Sequence, residues 1–304
     1  IIEDGQSLSA TARLLAERDL ILNRYLFVSY AIFTGNEKQF KAGRYLLPSS
    51  VSTYRLVEIF SSGQSEPDDI EATIPEGTNV AGIDRIFTEA GLIKAGDILG
   101  YNFKRGGALV QEGFLFPDTY RFPFADNLSE SSPDRLREII SKMRENFEVK
   151  TREFFTGRFA GEGGADRGYR TIIIASMLEK EVKTEEDMRL VAGIIEKRLK
   201  LGMPLEIDAT VAYGVCYPEF LAGRYCDVSL ANIVDNIPVD SGYNTYRRKG
   251  LPIGPISNPG LRAIGAALNP KPSDYLFYLS AKDGTTIFSR TGAEHERARQ
   301  KYLR

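Results

Sequence analysis

Two glutamates, Glu179 and Glu181, close the otherwise apolar stretch TIIIASMLEKEV (171–182). An apolar run of this kind reads as a helix buried at its N-terminal end. A carboxyl at its far end lies beside apolar surface, where desolvation of the charged form raises its pKa. A glutamate tuned upward to about 6 can serve as a general acid near neutral pH. Helical spacing puts Glu179 in line with Ile172, Ala175 and Val182, and Glu181 in line with Ile174, Met177 and Leu178. Periodicity does not choose between them. The competing reading is a helix that emerges into solvent, with both carboxylates paired to Lys180 and Lys183.

The rest of the composition narrows the chemistry. His295 is the only histidine, so no site needing two histidines exists within one chain. Cys216 and Cys226 lack the paired short spacing of a zinc site. They read either as a disulfide in an oxidising compartment or as two buried thiols. No P-loop and no dinucleotide fingerprint is present. The glycines of GRFAGEGGADRG (157–168) sit among charges and read as a flexible surface loop. Against 39 Lys and Arg stand 41 Asp and Glu, a net charge of −2 that points to neither nucleic acid nor an anionic membrane surface. No run approaches the roughly 18–20 apolar residues that span a bilayer. The chain begins at Ile1 and not Met, and an N-terminal anchor ahead of it is expected.

The elements that must position these residues fall into an α+β pattern. The N-terminal third holds an internal repeat: IIEDGQSLSATARLLAERDLI (1–21) resembles TIPEGTNVAGIDRIFTEAGLI (73–93). Ile2 aligns with Ile74, Gly5 with Gly77, Leu15 with Phe87, and Leu20-Ile21 with Leu92-Ile93. Each copy predicts a short strand, a glycine turn, a capped start and an amphipathic helix. Between them FKAGRYLLP (40–48) alternates like a strand, and 49–63 predicts a capped helix ending at Gly63. EGFLFPDTYRFPFADN (112–127) reads as an ordered loop between domains. Helices are expected over 133–155, 171–182, 184–202 and 261–270, and the charged C-terminus (291–304) is also helical. MPLEIDATVAYG (203–214) alternates and then turns, so Asp208 and Thr210 are expected on or beside a strand. Residues 241–260 carry too many Gly and Pro for regular structure, and 274–289 predicts a β-hairpin turning at Asp283-Gly284.

Several blocks then carry a resemblance. GFLFPDTYRF (113–122), ASMLEKEV (175–182), LEIDATVAYG (205–214), YNTYRRKGLPIGPISNPGLRAIGAALNP (243–270), YLFYLSAKDGTTIFS (275–289) and AEHERA (293–298) follow in an order and spacing similar to the endolytic murein transglycosylase (YceG-like) family. The resemblance covers essentially the whole chain. It implies a small LysM-like N-terminal region for glycan binding or positioning (1–112) and a mixed α+β catalytic domain (113–304). The family's acid is the first glutamate of its EKE block, which places it on Glu179. Val182 stands where a Thr is expected, and VCYPEFLAGRYCD (215–227) looks like an insertion.

The resemblance also implies a reaction. The β-1,4 bond between N-acetylmuramic acid and N-acetylglucosamine is cleaved within glycan strands, leaving a 1,6-anhydromuramoyl end. Glycosidases generally need two carboxyls ~5–9 Å apart. Here the substrate's own C6 hydroxyl is the nucleophile, so one glutamate can serve as acid and then base, with no metal and no cofactor. The remaining motif residues, Glu181, Asp208, Thr210, Tyr243, Asn244, Thr245, Ser257 and Asn258, are expected to line the sugar cleft. Asn and Ser beside Pro and Gly equally stabilise turns without touching ligand. Peptidoglycan strands, cell-wall synthases and, through an N-terminal helix, the inner membrane are the implied partners, with the catalytic domain facing the periplasm or wall. Two rivals stand beside this reading: a non-catalytic wall-binding or scaffolding protein, and a hydrolase that leaves reducing ends.

Overall fold

The structure is a computed structural model that describes residues 1–45, 47, 51–63, 69–103, 112–123, 133–156, 164–281 and 283–303. The chain divides into two compact units, Ile1–Ile70 with Arg121–Phe124, and Glu71–Tyr120 with Ala125–Arg304. Residues 71–112 thus pack with the second unit, whereas the expected functional boundary fell at 112/113.

The first unit is built on three capped helices. Ser7 opens α1 (Leu8–Glu17) by accepting the Ala10 N–H. Asn23 does the same for α2 (Arg24–Phe33) with two N–H groups, and Ser52 for α3 (Thr53–Ser62). Each cap satisfies an amide that the helix leaves unpaired, an effect of ~1 kcal/mol. Gly63 ends α3 in the left-handed conformation, as its glycine predicts. The inward faces of the three helices bury Leu15, Phe27, Leu56 and Phe60 in one core, with Phe40 and Tyr45 edge-on to Phe60. Among its described residues the strand expected over 40–48 is reduced to bridges at Gly43 and Arg44, the first antiparallel to Ile2. Leu46 and Pro48 lie outside the described residues.

The second unit repeats the opening of the first. Strands β1 (Asp69–Thr73) and β2 (Thr119–Pro123) form a two-stranded sheet. Then Gly77 turns with φ +77°, against +73° at Gly5. Asn79 caps α4 (Val80–Glu89). The Leu92 N–H returns to the Phe87 carbonyl at 2.9 Å, as Leu20 does to Leu15 at 2.9 Å. Buried Asp84 on α4 accepts the Gly96 and Ile98 N–H groups at 2.8 Å each, which starts α5 (Asp97–Phe103). The segment expected as a loop over 112–127 is in part strand β2. It buries Leu115, Phe116, Tyr120 and Phe122, and 124–127 lie outside the described residues.

Three long helices follow: α6 (Pro133–Phe155), α7 (Gly164–Glu181) and α8 (Glu185–Lys200), the last capped by Thr184. The loop expected over 157–168 is already helical from Gly164. The rest of it lies outside the described residues. The strand predicted over 203–214 keeps only a bridge from Pro204 to Lys249, and from Asp208 the chain is a helix instead: α9 runs Asp208–Leu221. Glu206, at φ +56°, breaks the extended run, and Asp208 places a negative charge in the first turn, where the helix dipole favours it. The apparent insertion at 215–227 is the second half of α9 and its exit. Cys226, after the helix, is bonded to Cys216 within it.

A 3-10 turn (Val228–Leu230) and a single helical turn, α10 (Ile233–Asn236), lead to the irregular 241–260 segment. Helix α11 (Leu261–Leu268) packs on α7 and α8 and buries Ala263, Ile264 and Ala266. The hairpin is antiparallel, with β3 (Phe277–Ser280) facing β4 (Thr286–Ser289) and Phe277 opposite Ser289. The last helix, α12 (Gly292–Tyr302), covers it. Buried Arg198 on α8 donates to the Leu276 and Leu205 carbonyls, both at 2.8 Å, and to Glu206. One side chain therefore anchors both the hairpin and the approach to α9. Among the described residues no helix is long and apolar enough to cross a membrane.

Candidate active site

The C-terminal turn of α7 carries both glutamates. Glu179 is half-buried, and its Oε2 accepts the Gly260 N–H at 3.0 Å, at the N-terminus of α11. Burial pushes its pKa above the ordinary carboxylate value. The Gly260 amide opposes this, neighbouring Glu76 adds to it, and Arg262 and Lys180 oppose it. The fold grips this carboxyl closely. A Cβ built on Gly77 would lie 3.1 Å from Glu179 Cγ, and one built on Gly260 would lie 1.8 Å from Glu76 Oε1. Gly77 thus lets its turn pack closely on Glu179, and Gly260 lets the start of α11 pack on Glu76. Around it, Arg262 donates to Glu76 at 3.1 Å, and Lys180 Nζ donates to the Gly77 carbonyl at 3.3 Å.

Glu181 points to a different neighbourhood. It accepts the Tyr278 hydroxyl of β3 at 3.0 Å, and its main-chain carbonyl accepts Ser280 Oγ. Burial pushes its pKa up to about 7, and the charge of Asp208 adds to the shift. Asp208 is exposed and accepts the Tyr246 hydroxyl at 2.6 Å. Glu181, Asp208, Tyr246 and Tyr278 thus form one polar cluster, drawn from α7, α9, the 241–260 segment and the hairpin.

The other sequence-predicted residues lie beneath this surface. Thr210, Tyr243, Asn244, Thr245, Ser257 and Asn258 are each at most 4% exposed. Thr210 and Thr245 share a hydroxyl contact of 2.8 Å, and Thr245 accepts the Ile207 N–H. Asn244 donates to the Ile237 and Val239 carbonyls. The ring of Tyr243 packs between Tyr213 and Tyr217. Ser257 Oγ donates to the Ser176 carbonyl, and Ser176 Oγ accepts the Ile256 N–H. These contacts seat the 255–260 segment on α7 one turn before Glu179. Asn258 ties that segment to the Gly77 turn: its carbonyl accepts the Gly77 N–H, and its amide donates to the Thr78 carbonyl.

Sequence reasoning missed Glu112. It is 3% exposed and accepts hydrogen bonds from the Val80 N–H (3.1 and 3.2 Å), the Tyr213 hydroxyl (2.9 Å) and Asn258 Nδ2 (3.0 Å). Burial pushes its pKa up to about 8 against these donors. Its partners stand 32, 101 and 146 residues away in sequence, so no local spacing signals it. Glu76, Arg262, Tyr246 and Tyr278 were missed for the same reason.

The arrangement defines a class first: an α+β protein with a half-buried carboxyl at a helix end, its pKa raised by burial, and a second carboxyl cluster beside it. The chain belongs to the YceG-like family, whose model matches residues 1–301. It is 29% identical to an endolytic murein transglycosylase of Bacillus subtilis, over 99% of this chain and 84% of that protein. It is 27% identical to one from Streptococcus pneumoniae, over 97% of this chain. It spans about half of the length of that second relative, 56%. A crystal structure of a putative yceG-like protein from Listeria monocytogenes superposes with a TM-score of 0.58 at 27% identity, covering 98% of this chain and 97% of that one.

Proposed function

We propose that this chain is an endolytic murein transglycosylase, a lyase that cuts peptidoglycan glycan strands internally, with Glu179 as its acid. The carrying observation is the Glu179 carboxyl, half-buried at the end of α7 with its pKa raised by burial and held by the Gly260 N–H, in a member of this family. In the proposed sequence, protonated Glu179 gives its proton to the glycosidic oxygen between N-acetylmuramic acid and N-acetylglucosamine. The C1–O bond breaks through an oxocarbenium-like state. The carboxylate then takes the proton of the C6 hydroxyl as that oxygen bonds to C1, leaving a 1,6-anhydro end. Tethering makes the nucleophile effective, by on the order of 10⁵ M or more in favourable cases.

Exposure divides the other roles. Asp208 is exposed and open to a sugar, Glu181 is partly buried against Tyr278, and the six buried polar residues are read as holding the segments that carry the site. The N-terminal region (1–112) is read as a LysM-like glycan-binding or positioning region, supported by the repeat of 1–21 in 73–93. A wall-facing location, an anchor ahead of Ile1 and association with cell-wall synthases belong to the same reading. The test is a digest of purified glycan strands with wild type and Glu179→Gln, followed by mass analysis. Anhydro-ended fragments from wild type alone support the lyase. Reducing ends indicate a hydrolase, and no cleavage by wild type indicates a binding protein.

A further inference from the structure

Glu112 is a buried carboxyl for which the proposed reaction has no use. It occupies the N-terminus of α4, and all its hydrogen bonds come from groups fixed in the core: the Val80 amide, the Tyr213 hydroxyl of α9 and the Asn258 side chain. Asn258 is the informative partner. Its Oδ1 accepts the Leu115 N–H at 2.9 Å, and its Nδ2 donates to both Glu112 and the Thr78 carbonyl. Its own amide donates to Thr78, and its carbonyl accepts from Gly77. Asn258 therefore joins the Gly77 turn to the segment ending in Gly260. One of these packs on Glu179 Cγ and the other donates to its carboxylate.

We propose that Glu112 is a positioning residue for Glu179, fixing through Asn258 the two glycine segments that hold the acid. This rests on the reading of Glu179 as the acid. The role requires three donors to be satisfied at one point, not a negative charge. Burial pushes the Glu112 pKa up to about 8, and the charged or ionisable side chains facing it are Tyr213, Tyr243 and Lys180. Glutamine has nearly the same shape. Its oxygen can accept from Val80 and Asn258, and its NH₂ can donate to the Tyr213 hydroxyl. Leucine fills the space and accepts nothing. A displacement of about 1 Å at an acid can cost ~10²-fold in rate.

The experiment measures kcat and KM on soluble glycan oligomers for the full chain and for Glu112→Gln, Glu112→Leu, Tyr213→Phe and Glu179→Gln, each checked by circular dichroism and melting. Glu112→Gln should stay within about threefold of wild type. Folded Glu112→Leu should lose ~10–100-fold in kcat with KM within about twofold. If Glu112→Leu does not fold, Tyr213→Phe, which removes one donor and keeps the ring, should lose ~3–10-fold in kcat alone. A folded Glu112→Leu with wild-type kcat overturns the proposal. So does a loss confined to KM, or a Glu112→Gln protein as slow as the leucine variant; after misfolding, so does Tyr213→Phe at wild-type kcat. An active Glu179→Gln protein overturns the acid assignment itself. An inactive one beside a fully active Glu112→Leu overturns the positioning role alone.

Discussion

At the scale of the residue, Glu179 and Glu181 are told apart by their partners. Glu179 accepts a helix N-terminal amide and meets Glu76 and Arg262, whereas Glu181 accepts a tyrosine hydroxyl. Glu179→Gln should keep the fold and lose at least ~10³-fold in cleavage rate, because amide cannot supply the proton. Glu181→Gln should cost far less, and reversed effects in initial-rate assays would move the acid to Glu181. The acid must be protonated to act, so the rate should fall as pH rises through the raised pKa of Glu179. Glu76→Gln removes a negative neighbour and frees Arg262 to face Glu179. The alkaline limb of the kcat/KM profile should then move to lower pH. Glu112 makes a separate prediction about stability. Its folded pKa of about 8 lies above its ordinary 4.5. Its contribution is therefore fully present below pH 4.5 and lost as pH rises through 8. Glu112→Gln cannot ionise, so its melting temperature should fall less than that of wild type between pH 5 and 9.

At the scale of the element, α9 is the informative case. Alternation over 203–214 reads as a strand, yet Asp208 starts a helix that runs to Leu221. Alternation reports two faces of unequal burial. It does not report the left-handed backbone at Glu206, nor the Thr245 hydroxyl that accepts the Ile207 N–H and so closes the start of the helix. The disulfide then pins the far end: Cys216 is buried inside α9, and Cys226 follows its exit after a separation of 10 residues. A loop this short restricts the unfolded chain by roughly 2–3 kcal/mol in the entropic account. Reduction, or Cys226→Ser, should lower the melting temperature while leaving the cleavage product unchanged. Thermal melts with and without reductant check this, and an unaltered melting temperature would show that the bond adds nothing.

At the scale of the whole molecule, the compact units assign residues 71–112 to the same body as Glu179. That segment brings Gly77, α4 and Glu112, whose partners lie on α9 and in the 255–260 segment. A chain beginning at Gly113 would leave the Tyr213 hydroxyl and the Asn258 amide without a buried acceptor, a cost of ~1–3 kcal/mol for each. It should fail to fold cooperatively. A chain beginning at Glu71 keeps these contacts and should retain cleavage of short oligomers. It should lose more activity on long strands if the first unit binds glycan, since a second linked site raises effective concentration. Circular dichroism and rates on short and long substrates decide this. Equal rates to wild type on both would remove the binding role from the first unit.

The sequence by itself determined several of the helices, though not α9, and the segment that carries Glu179 and Glu181. Ser7, Asn79, Ser52 and Thr184 announce helix starts, and apolar spacing sets α6 and α8. The repeat is legible because a turn glycine, a cap and an amphipathic helix are local signals, each decided within a few residues. The motif blocks carried the family resemblance and placed Glu179. Only the tertiary structure decided which polar residues face outward. Ser257 and Asn258 read as possible sugar contacts, yet both are fully buried and hydrogen-bonded to α7 and to the Gly77 turn. Only the fold, too, brought Glu112 to Asn258 across 146 residues. Burial and hydrogen-bond partnership depend on what the rest of the chain places nearby, and no spacing within a segment encodes that.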